Sequence, residues 1–296
     1  MSGEVHRYVG RDFSCEEIAY ISALCNDPAT PTREAIARAA CEALCWHAPN
    51  GTAKTMSAKV AFLAMHKDGL ITLPPPRREH TNGRAQRYLA PEPQGLFPLP
   101  MPATLKDIGE IRVALVTGPA ASKRWNEAIA RHHYLGYVPL AGAQLRYLVE
   151  ADIGLLGALS FGASAWKCAP RDSHIGWDAT TRQARLHLVV GNARFLILPN
   201  AHVANLASKI LAQVTKALPG DWRERYGYSP VLLETFVDKH RFAGTSYQAV
   251  NWIGVGETQG RGKLDRHHTN ALPIKDIYLY PLHRRYREIL TAPCQD

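Results

Sequence analysis

A proline-rich stretch in the first half of the chain is the strongest constraint on its fold. Eight of the 20 prolines lie between residues 74 and 104, beginning with three in a row at 74–76. Such a segment is stiff and extended, and each proline lacks the backbone N–H that a helix or sheet requires. We therefore expect the 296 residues to form two domains, residues 1–73 and 105–296, joined by a linker at 74–104.

The first domain has the pattern of three short helices. Ser14 and Thr32 are placed as N-caps of the first two, and a polar, basic segment with Lys54 and Lys59 opens the third. An apolar run at 70–73 predicts a strand. Three helices and a strand follow the order of a winged helix, in which the third helix enters the DNA major groove. Lys54 and Lys59 are then candidate DNA contacts, and a three-helix packing module is the alternative.

The charge of the chain also favours a polyanionic partner. Lysine and arginine number 35 against 26 aspartate and glutamate, a net charge of +9. Arg77 and Arg78 make the start of the linker basic and are further candidate contacts to duplex DNA or to RNA. The sequence contains no run of eighteen apolar residues, so no membrane span is predicted. Because the N-terminus also lacks an apolar signal core, we expect a cytoplasmic protein without a membrane partner.

The second domain has the pattern of an α+β fold with a mixed, mainly antiparallel sheet. A hairpin comes first, and a strand–helix–strand crossover follows it. The predicted strands are 112–116, 144–150, 155–161, 185–190, 194–198, 230–237 and 277–282, and the predicted helices are 122–133 and 201–218, with a short helix or turn at 244–252.

This order of elements resembles the layout of the GNAT acetyltransferases. The resemblance implies that Tyr247 occupies the position of the acid tyrosine in that superfamily. It also implies a turn whose backbone amides bind the pyrophosphate of acyl-CoA at a helix N-terminus. The corresponding stretch at 198–204 has no glycine pair, and Pro199 supplies no amide, so acyl-CoA is disfavoured as a cofactor.

A second resemblance covers nearly the whole chain and rests on longer motifs. The motifs are GLITLPP at 69–75, HYLG at 133–136, RDSHIGW at 171–177, NARFLILP at 192–199, LETFVD at 233–238, GTSYQAVNW at 244–252 and GETQGRG at 256–262. They resemble the DruA family of the Druantia anti-phage defence systems, whose domains also occur beside or within bacterial transposases. The resemblance implies DNA-linked biology, with a defence-system or transposase protein as a possible partner.

Two carboxylates within an apolar strand are candidate catalytic residues. Strand alternation places Glu234 and Asp238 on one face, where they could hold Mg²⁺ or Mn²⁺ for phosphodiester hydrolysis, with Asp172 as a third acidic group. A carboxylate in an apolar run must be paired or functional, because unpaired burial is costly. The alternative for Glu234 is a structural salt bridge with an arginine such as Arg194 or Arg185.

Other motif residues are candidates for nucleic-acid binding or proton transfer. Tyr247 is a candidate proton donor, and Asn251, four residues later, is predicted to share its helical face and to bind a base edge. The remaining candidates are basic side chains suited to phosphate, namely Arg171, Arg194, Arg261 and Lys263. A turn-bracing pair (Arg171 with Asp172), an ion pair with Glu234 (Arg194) and a solvated loop (Arg261 and Lys263) are the respective alternatives.

Three functions remain open on the sequence alone. The leading hypothesis is a DNA-binding nuclease of phage defence or mobile elements. The second is a GNAT-like transferase that modifies a nucleobase, tRNA or protein, and the third is a non-catalytic adaptor that recruits a nuclease or transposase. The sequence has no P-loop, H-E-x-x-H, G-x-S-x-G or Rossmann glycine motif, which disfavours ATPases, zinc proteases, serine hydrolases and dinucleotide enzymes.

Overall fold

The structure is a computed structural model that describes residues 5–48, 51–76, 104–201, 203–260 and 272–293. The chain divides into two compact units, one at the N-terminus and one that contains nearly all residues from 104 onward. Because most of the linker lies outside the described residues, the predicted boundaries at 73 and 105 stay predictions. No helix in the described parts of the chain has the length and apolar character needed to cross a membrane.

The first unit contains the three predicted helices, preceded by a hairpin that the sequence reading missed. Its elements are β1 (Val5–Tyr8), β2 (Arg11–Ser14), α1 (Cys15–Asn26), α2 (Arg33–Ala43) and α3 (Thr55–Lys67). The predicted caps are confirmed: the Ser14 hydroxyl accepts the Glu17 N–H in a capping box, and the Thr32 hydroxyl accepts the Ala35 N–H.

The winged-helix prediction is not confirmed. Residues 70–73 form no strand, because no other strand pairs with them in the described part of the chain; the His66 side chain on α3 contacts their backbone instead. Its Nδ1 lies 3.1 Å from the Ile71 carbonyl oxygen and 3.4 Å from the Leu73 nitrogen. Ile71 and Leu73 are buried in the core of this unit, while Val60 on α3 is exposed.

The second unit is an α+β fold around a seven-stranded sheet, as predicted. The strands lie in the order β3-β4-β5-β6-β7-β9-β8, and every neighbouring pair is antiparallel except β6 with β7. The strands are β3 (Arg112–Leu115), β4 (Gln144–Ala151), β5 (Gly154–Ala163), β6 (Val189–Ile197), β7 (Leu232–Asp238), β8 (Ile253–Glu257) and β9 (Lys275–Pro281).

Helices connect these strands, and the longest provides the crossover between the two parallel strands. The helices are α4 (Gly118–His132), α5 (Ala169–Ile175), α6 (Ala179–Arg185), α7 (Leu206–Tyr226), α8 (Thr245–Gln248) and α9 (Tyr286–Thr291). Leu206, Ile210, Leu211 and Val214 form a buried apolar stripe on α7, which begins and ends later in the chain than the helix predicted at 201–218. Parallel neighbours require such a crossover, and this one joins the end of β6 to the start of β7.

One strand prediction was wrong in a way that matters for the site. The runs at 185–190 and 194–198 were predicted as two strands, but residues 186–188 form a turn of 3₁₀ helix and a single strand, β6, spans Val189–Ile197. Residues 191–193, between the two predicted strands, lie within β6 at the point where its pairing with β5 shifts. The sequence pattern was broken by a β-bulge, a local irregularity that alternation does not reveal.

Candidate functional site

The parallel strands β6 and β7 separate at their carboxyl ends and leave a cavity between them. They pair only from Val189 with Leu232 to Asn192 with Thr235. On its other side, β6 pairs Asn192 with Phe161 and Arg194 with Ser160, which leaves Ala193 as the extra residue of the bulge. The diverging ends of both strands line a cavity of about 780 Å³, which we call the open cavity.

Tyr247 projects into the wall of the open cavity from α8. Its hydroxyl donates a 2.7 Å hydrogen bond to Asn192 Oδ1 and lies 3.4 Å from Thr235 Oγ1. The turn that aims it requires Gly244, which has φ +70° and where a Cβ would lie 2.5 Å from the Tyr278 hydroxyl oxygen. Burial raises the pKa of Tyr247, so the hydroxyl keeps its proton near neutral pH.

Asn192 is oriented by backbone groups on both sides of the bulge. Its Nδ2 donates to the carbonyl oxygens of Ser160 and Arg194, both at 3.0 Å, which turns Oδ1 toward Tyr247. The bulge therefore fixes the Asn192 amide, whose Oδ1 accepts the hydrogen bond from the Tyr247 hydroxyl. It also directs Arg194, the residue after the bulge, toward the cavity.

That following residue, Arg194, brings a positive charge to the wall of the open cavity. Its guanidinium donates to the carbonyl oxygens of Ala193 at 2.7 Å and Gly136 at 3.4 Å. Among the described residues it has no carboxylate partner, and burial lowers its pKa. A guanidinium with spare donors and no counterion is suited to an anionic ligand.

His133 lies beside this charge and is neutral at physiological pH. Burial and the Arg194 charge lower its pKa to about 4. Its Nδ1 accepts the Leu135 N–H at 3.2 Å, so the neutral ring carries its proton on Nε2. His133 is therefore a hydrogen-bond donor in the cavity wall rather than a cation.

Aromatic and basic side chains line the outer part of the open cavity. Tyr134 and Phe242 are 37% and 53% exposed, and their ring centroids lie 5.6 Å apart. The Arg241 guanidinium lies 5.0 Å from the Tyr134 ring centroid and 3.9 Å from Asp238 Oδ2. Lys275 adds a further positive side chain to the lining. Exposed rings beside cations can hold a planar, negatively charged ligand.

A second polar group, which we call the closed cluster, consists of Arg171, Asp172 and Glu234. Arg171 donates to Glu234 Oε2 at 2.7 Å and to Asp172 Oδ1 at 2.8 and 2.9 Å. The Ala165 N–H binds Glu234 Oε1 at 2.7 Å, and the Trp177 indole N–H binds Asp172 Oδ1 at 3.0 Å. The Arg171 and Glu234 side chains are both 0% exposed.

Both carboxylates of the closed cluster are paired with Arg171, and Arg182, 3.5 Å from Asp172 Oδ2, supplies a second positive charge. Burial raises the pKa of Glu234, and the Arg171 charge opposes that rise. Burial alone would lower the pKa of Arg171, but Glu234 and Asp172 outweigh it and raise that pKa. The cluster attaches α5 to β7, and its carboxylate oxygens are already occupied. Glu234 thus forms a structural salt bridge, the alternative to a catalytic role, but its partner is Arg171 instead of Arg194 or Arg185.

The two residues predicted to share a metal ion are not brought together. Glu234 and Asp238 lie four residues apart on β7, so their Cα atoms are roughly 13 Å apart, whereas Mg²⁺ needs its ligands at about 2 Å. Asp238 instead lines the open cavity and accepts the His240 N–H at 3.0 Å. The described residues contain no group of three His, Cys, Asp or Glu placed to hold a metal ion. These residues do not fit a shared Mg²⁺ or Mn²⁺.

The remaining predicted residues are scattered. Asn251 is exposed at φ +64° and does not share a helical face with Tyr247, because α8 ends at Gln248. Lys54 is exposed, and Lys59 is paired with Glu34 at 2.6 Å. Four of the predicted nucleic-acid contacts lie outside the described residues: Arg77, Arg78, Arg261 and Lys263.

Comparison with known proteins identifies the family. A protein-family model described as "Druantia protein DruA" matches residues 64–272, well over half of the chain. The chain belongs to the DruA family. The matched region contains every residue of the open cavity and the closed cluster named above except Lys275, and the motifs at 133, 171, 192, 233 and 244 supply most of them. The motif that contains His133 was thus a usable signal for the cavity wall, although the sequence analysis gave Tyr134 and Arg241 no site role.

Other comparisons add little to this DruA-family assignment. No curated protein matches the chain. Among solved structures, the ribosomal-protein-S18-alanine N-acetyltransferase of Escherichia coli is 8% identical, with a TM-score of 0.39 over 58% of this chain and 94% of the other. A probable acetyltransferase of Staphylococcus epidermidis is 8% identical, with a TM-score of 0.38 over 58% and 99%. Similarity this low says nothing about activity, and the sheet order of the chain itself describes its layout.

Part of the loop between β6 and α7, where the acetyltransferase resemblance predicts a pyrophosphate turn, has no free backbone N–H. Pro199 has no N–H, and the N–H groups of Ala201, Val203 and Leu206 each donate to carbonyl oxygens within the same loop. These four positions therefore offer no free amide to a pyrophosphate. The open cavity therefore has to be interpreted from its own side chains.

Proposed function

We propose that this DruA-family protein works on nucleic acid in phage defence, in the cytoplasm, and that its second unit is an enzyme that modifies a nucleobase held in the open cavity. The observation that carries this proposal is the combination of Arg194 without a carboxylate partner and the Tyr247–Asn192 pair in one cavity. Arg194 is suited to binding a phosphate, and the Tyr247–Asn192 pair to binding the polar edge of a base or to proton transfer.

The size and lining of the open cavity support a nucleotide as its occupant. A volume of about 780 Å³ lies within the usual range for small-molecule sites. The exposed rings of Tyr134 and Phe242 offer stacking surfaces, and Arg194, Arg241 and Lys275 offer positive charge. A base taken out of a strand needs such a combination of stacking and hydrogen bonding.

Tyr247 is the side chain that we expect to take part in the reaction. Its raised pKa keeps the hydroxyl protonated, and Asn192 holds it in one orientation. A buried neutral hydroxyl can deliver a proton to a group that gains negative charge. His133 and Arg194, on the same wall, can bind the developing charge as hydrogen-bond donors.

This proposal replaces the metal-dependent nuclease as the leading hypothesis. Glu234 and Asp172 are already bound by Arg171, whereas a nuclease metal needs free carboxylate oxygens. Duplex DNA binding by the first unit, and a defence-system or transposase partner, stay part of the proposal. Exposed Lys54 supports DNA binding, while the pairing of Lys59 with Glu34 reduces what that residue can offer.

The test uses a matched pair of tyrosine variants. Purified full chain is incubated with single- and double-stranded DNA and RNA plus the small-molecule fraction of a bacterial extract, and the nucleosides are analysed by mass spectrometry. We expect a modified nucleoside, with its yield lowered about 100-fold or more in Tyr247→Phe. Tyr278→Phe serves as the control, because its hydroxyl binds Gln248 rather than Asn192.

Two results would overturn the proposal. One is a modification rate in Tyr247→Phe equal to that of the wild type. The other is that the only products are shortened strands, which would restore the nuclease hypothesis. If neither modification nor cleavage is detected and Tyr247→Phe still supports phage defence in cells, the adaptor hypothesis is favoured.

A further inference from the structure

A dense group of arginines lies just before and within the first turn of α9. His283, Arg284, Arg285 and Arg287 are all exposed, within five consecutive positions. The only described carboxylate paired with any of them is Glu288, which lies 3.9 Å from Arg285. The sequence analysis assigned no role to this segment, although it contains three of the 35 lysine and arginine residues that give the chain its positive net charge.

The position of these arginines does not serve the stability of the helix. The N-terminus of a helix carries a partial positive charge, so cations are unfavourable there. Glu288 is the one acidic residue in this turn, so the three arginines leave an excess of positive charge there. An exposed excess of this kind is suited to an external anion.

The arginines are connected to a second cavity of the same unit. The Arg287 guanidinium lies 3.1 Å from His174 Nε2 on α5. His174 and Lys167 line this second cavity, which has a volume of about 880 Å³. Phe236 and Thr258 line both cavities, so the second one borders the open cavity.

We propose that Arg284, Arg285 and Arg287 bind the sugar–phosphate backbone of a nucleic acid strand that continues over the second cavity toward the open cavity. Guanidinium groups bind phosphate oxygens through paired donors and carry no sequence requirement. That the bound polymer is a nucleic acid rests on the proposed function. That it is a polyanion is inferred separately, from the excess of positive charge at α9.

Binding of labelled oligonucleotides to the full chain tests the inference. Fluorescence anisotropy is measured between 50 and 200 mM salt for the wild type, for Arg284→Gln/Arg285→Gln and for the control Lys209→Gln/Lys216→Gln. Lys209 and Lys216 are exposed on α7, so both double variants remove two exposed positive charges. Thermal unfolding followed by circular dichroism checks that all three proteins are folded, and the single Arg284→Gln variant is used if the double variant is not.

We expect the arginine variant to bind about 10-fold more weakly or worse. The slope of log affinity against log salt should also fall in magnitude by about 1.4 for single strands. The lysine variant should match the wild type. Equal weakening by both variants would reduce the effect to total charge and overturn the inference. Unchanged binding by the arginine variant would also overturn it and indicate an acidic protein as the partner of this surface.

Failure of the proposed function gives a different result. If the enzyme modifies no base but oligonucleotide binding depends on the arginines, the backbone surface stands without the nucleobase reaction. If bases are modified but oligonucleotide binding does not depend on the arginines, the proposed backbone surface is wrong and the proposed reaction is supported. Modification of a free nucleoside monophosphate should be unchanged in the arginine variant, because that substrate does not reach α9.

Discussion

The closed cluster and the open cavity use similar side chains for opposite purposes. In the closed cluster, Arg171 is fully buried and each of its donor groups has an acceptor on Glu234, Asp172 or Ala165. In the open cavity, Arg194 donates only to two backbone carbonyl oxygens and has no carboxylate partner among the described residues. The difference between the two regions teaches that the chemistry available to a charged side chain depends on whether its partners are already in the fold.

Arg171 and Arg194 therefore make a matched pair for mutation. Removal of Arg171 should damage the fold, because Glu234 would remain buried without its counterion. Removal of Arg194 should damage ligand binding and leave the fold intact. The predictions below test this separation, from the largest expected effect to the smallest.

Arg171→Met should lower the free energy of unfolding by about 3–5 kcal/mol, the usual cost of leaving one partner of a buried ion pair alone. The midpoint of thermal unfolding should fall by roughly 6–20 °C in a unit of this size. Urea unfolding and calorimetry measure both quantities. The double variant Arg171→Met/Glu234→Met should recover part of the loss, because it removes both charges.

An Arg171→Met protein that is as stable as the wild type but inactive would contradict this account. The closed cluster would then be catalytic, and the original assignment of Glu234 and Asp172 to the reaction would be restored.

Arg194→Gln should leave the free energy of unfolding within about 1 kcal/mol of the wild type, because no carboxylate loses its partner. Binding of a nucleoside monophosphate should weaken by about 10- to 100-fold, since a hydrogen bond to a charged group contributes about 1.5–3 kcal/mol. Isothermal titration calorimetry measures the affinity. Arg124→Gln, which removes a surface ion pair with Glu150, is the control and should bind normally.

A large loss of stability in Arg194→Gln would show that this arginine is structural as well. The contrast between the two polar regions would then not hold.

His133 gives the smallest expected effect, a dependence of stability on pH. Its pKa is about 4 in the folded protein and about 6.5 in an unfolded chain, so the unfolded chain binds more protons between these values. Its contribution to stability is complete above pH 6.5 and is lost as the pH falls toward 4, by roughly 2 kcal/mol. His133→Asn keeps an acceptor for the Leu135 N–H and should remove this dependence.

The measurement is the difference in unfolding free energy between pH 7 and pH 4.5 for both proteins. The same pH dependence in His133→Asn and in the wild type would show that another group is responsible.

Local signals in the sequence predicted part of the secondary structure, but not β1, β2, α5, α6, β8 or α9. The caps at Ser14 and Thr32, the stripe of α7 and the hairpin of β4 and β5 depend on neighbours close along the chain. Two of the errors depend on pairing that the local pattern does not show. No strand pairs with residues 70–73 in the described part of the chain, and the bulge at Ala193 interrupts the pattern of β6.

The sequence by itself determined an α+β second unit, its family motifs and the short set of polar residues within them. Only the tertiary structure decided which of these residues are paired with other protein groups and which face a cavity. Glu234 was a candidate because a carboxylate in an apolar strand needs a partner, but that partner, Arg171, lies 63 residues earlier in the chain. Spacing along one strand cannot reveal a partner supplied by another element, because only folding brings the two together.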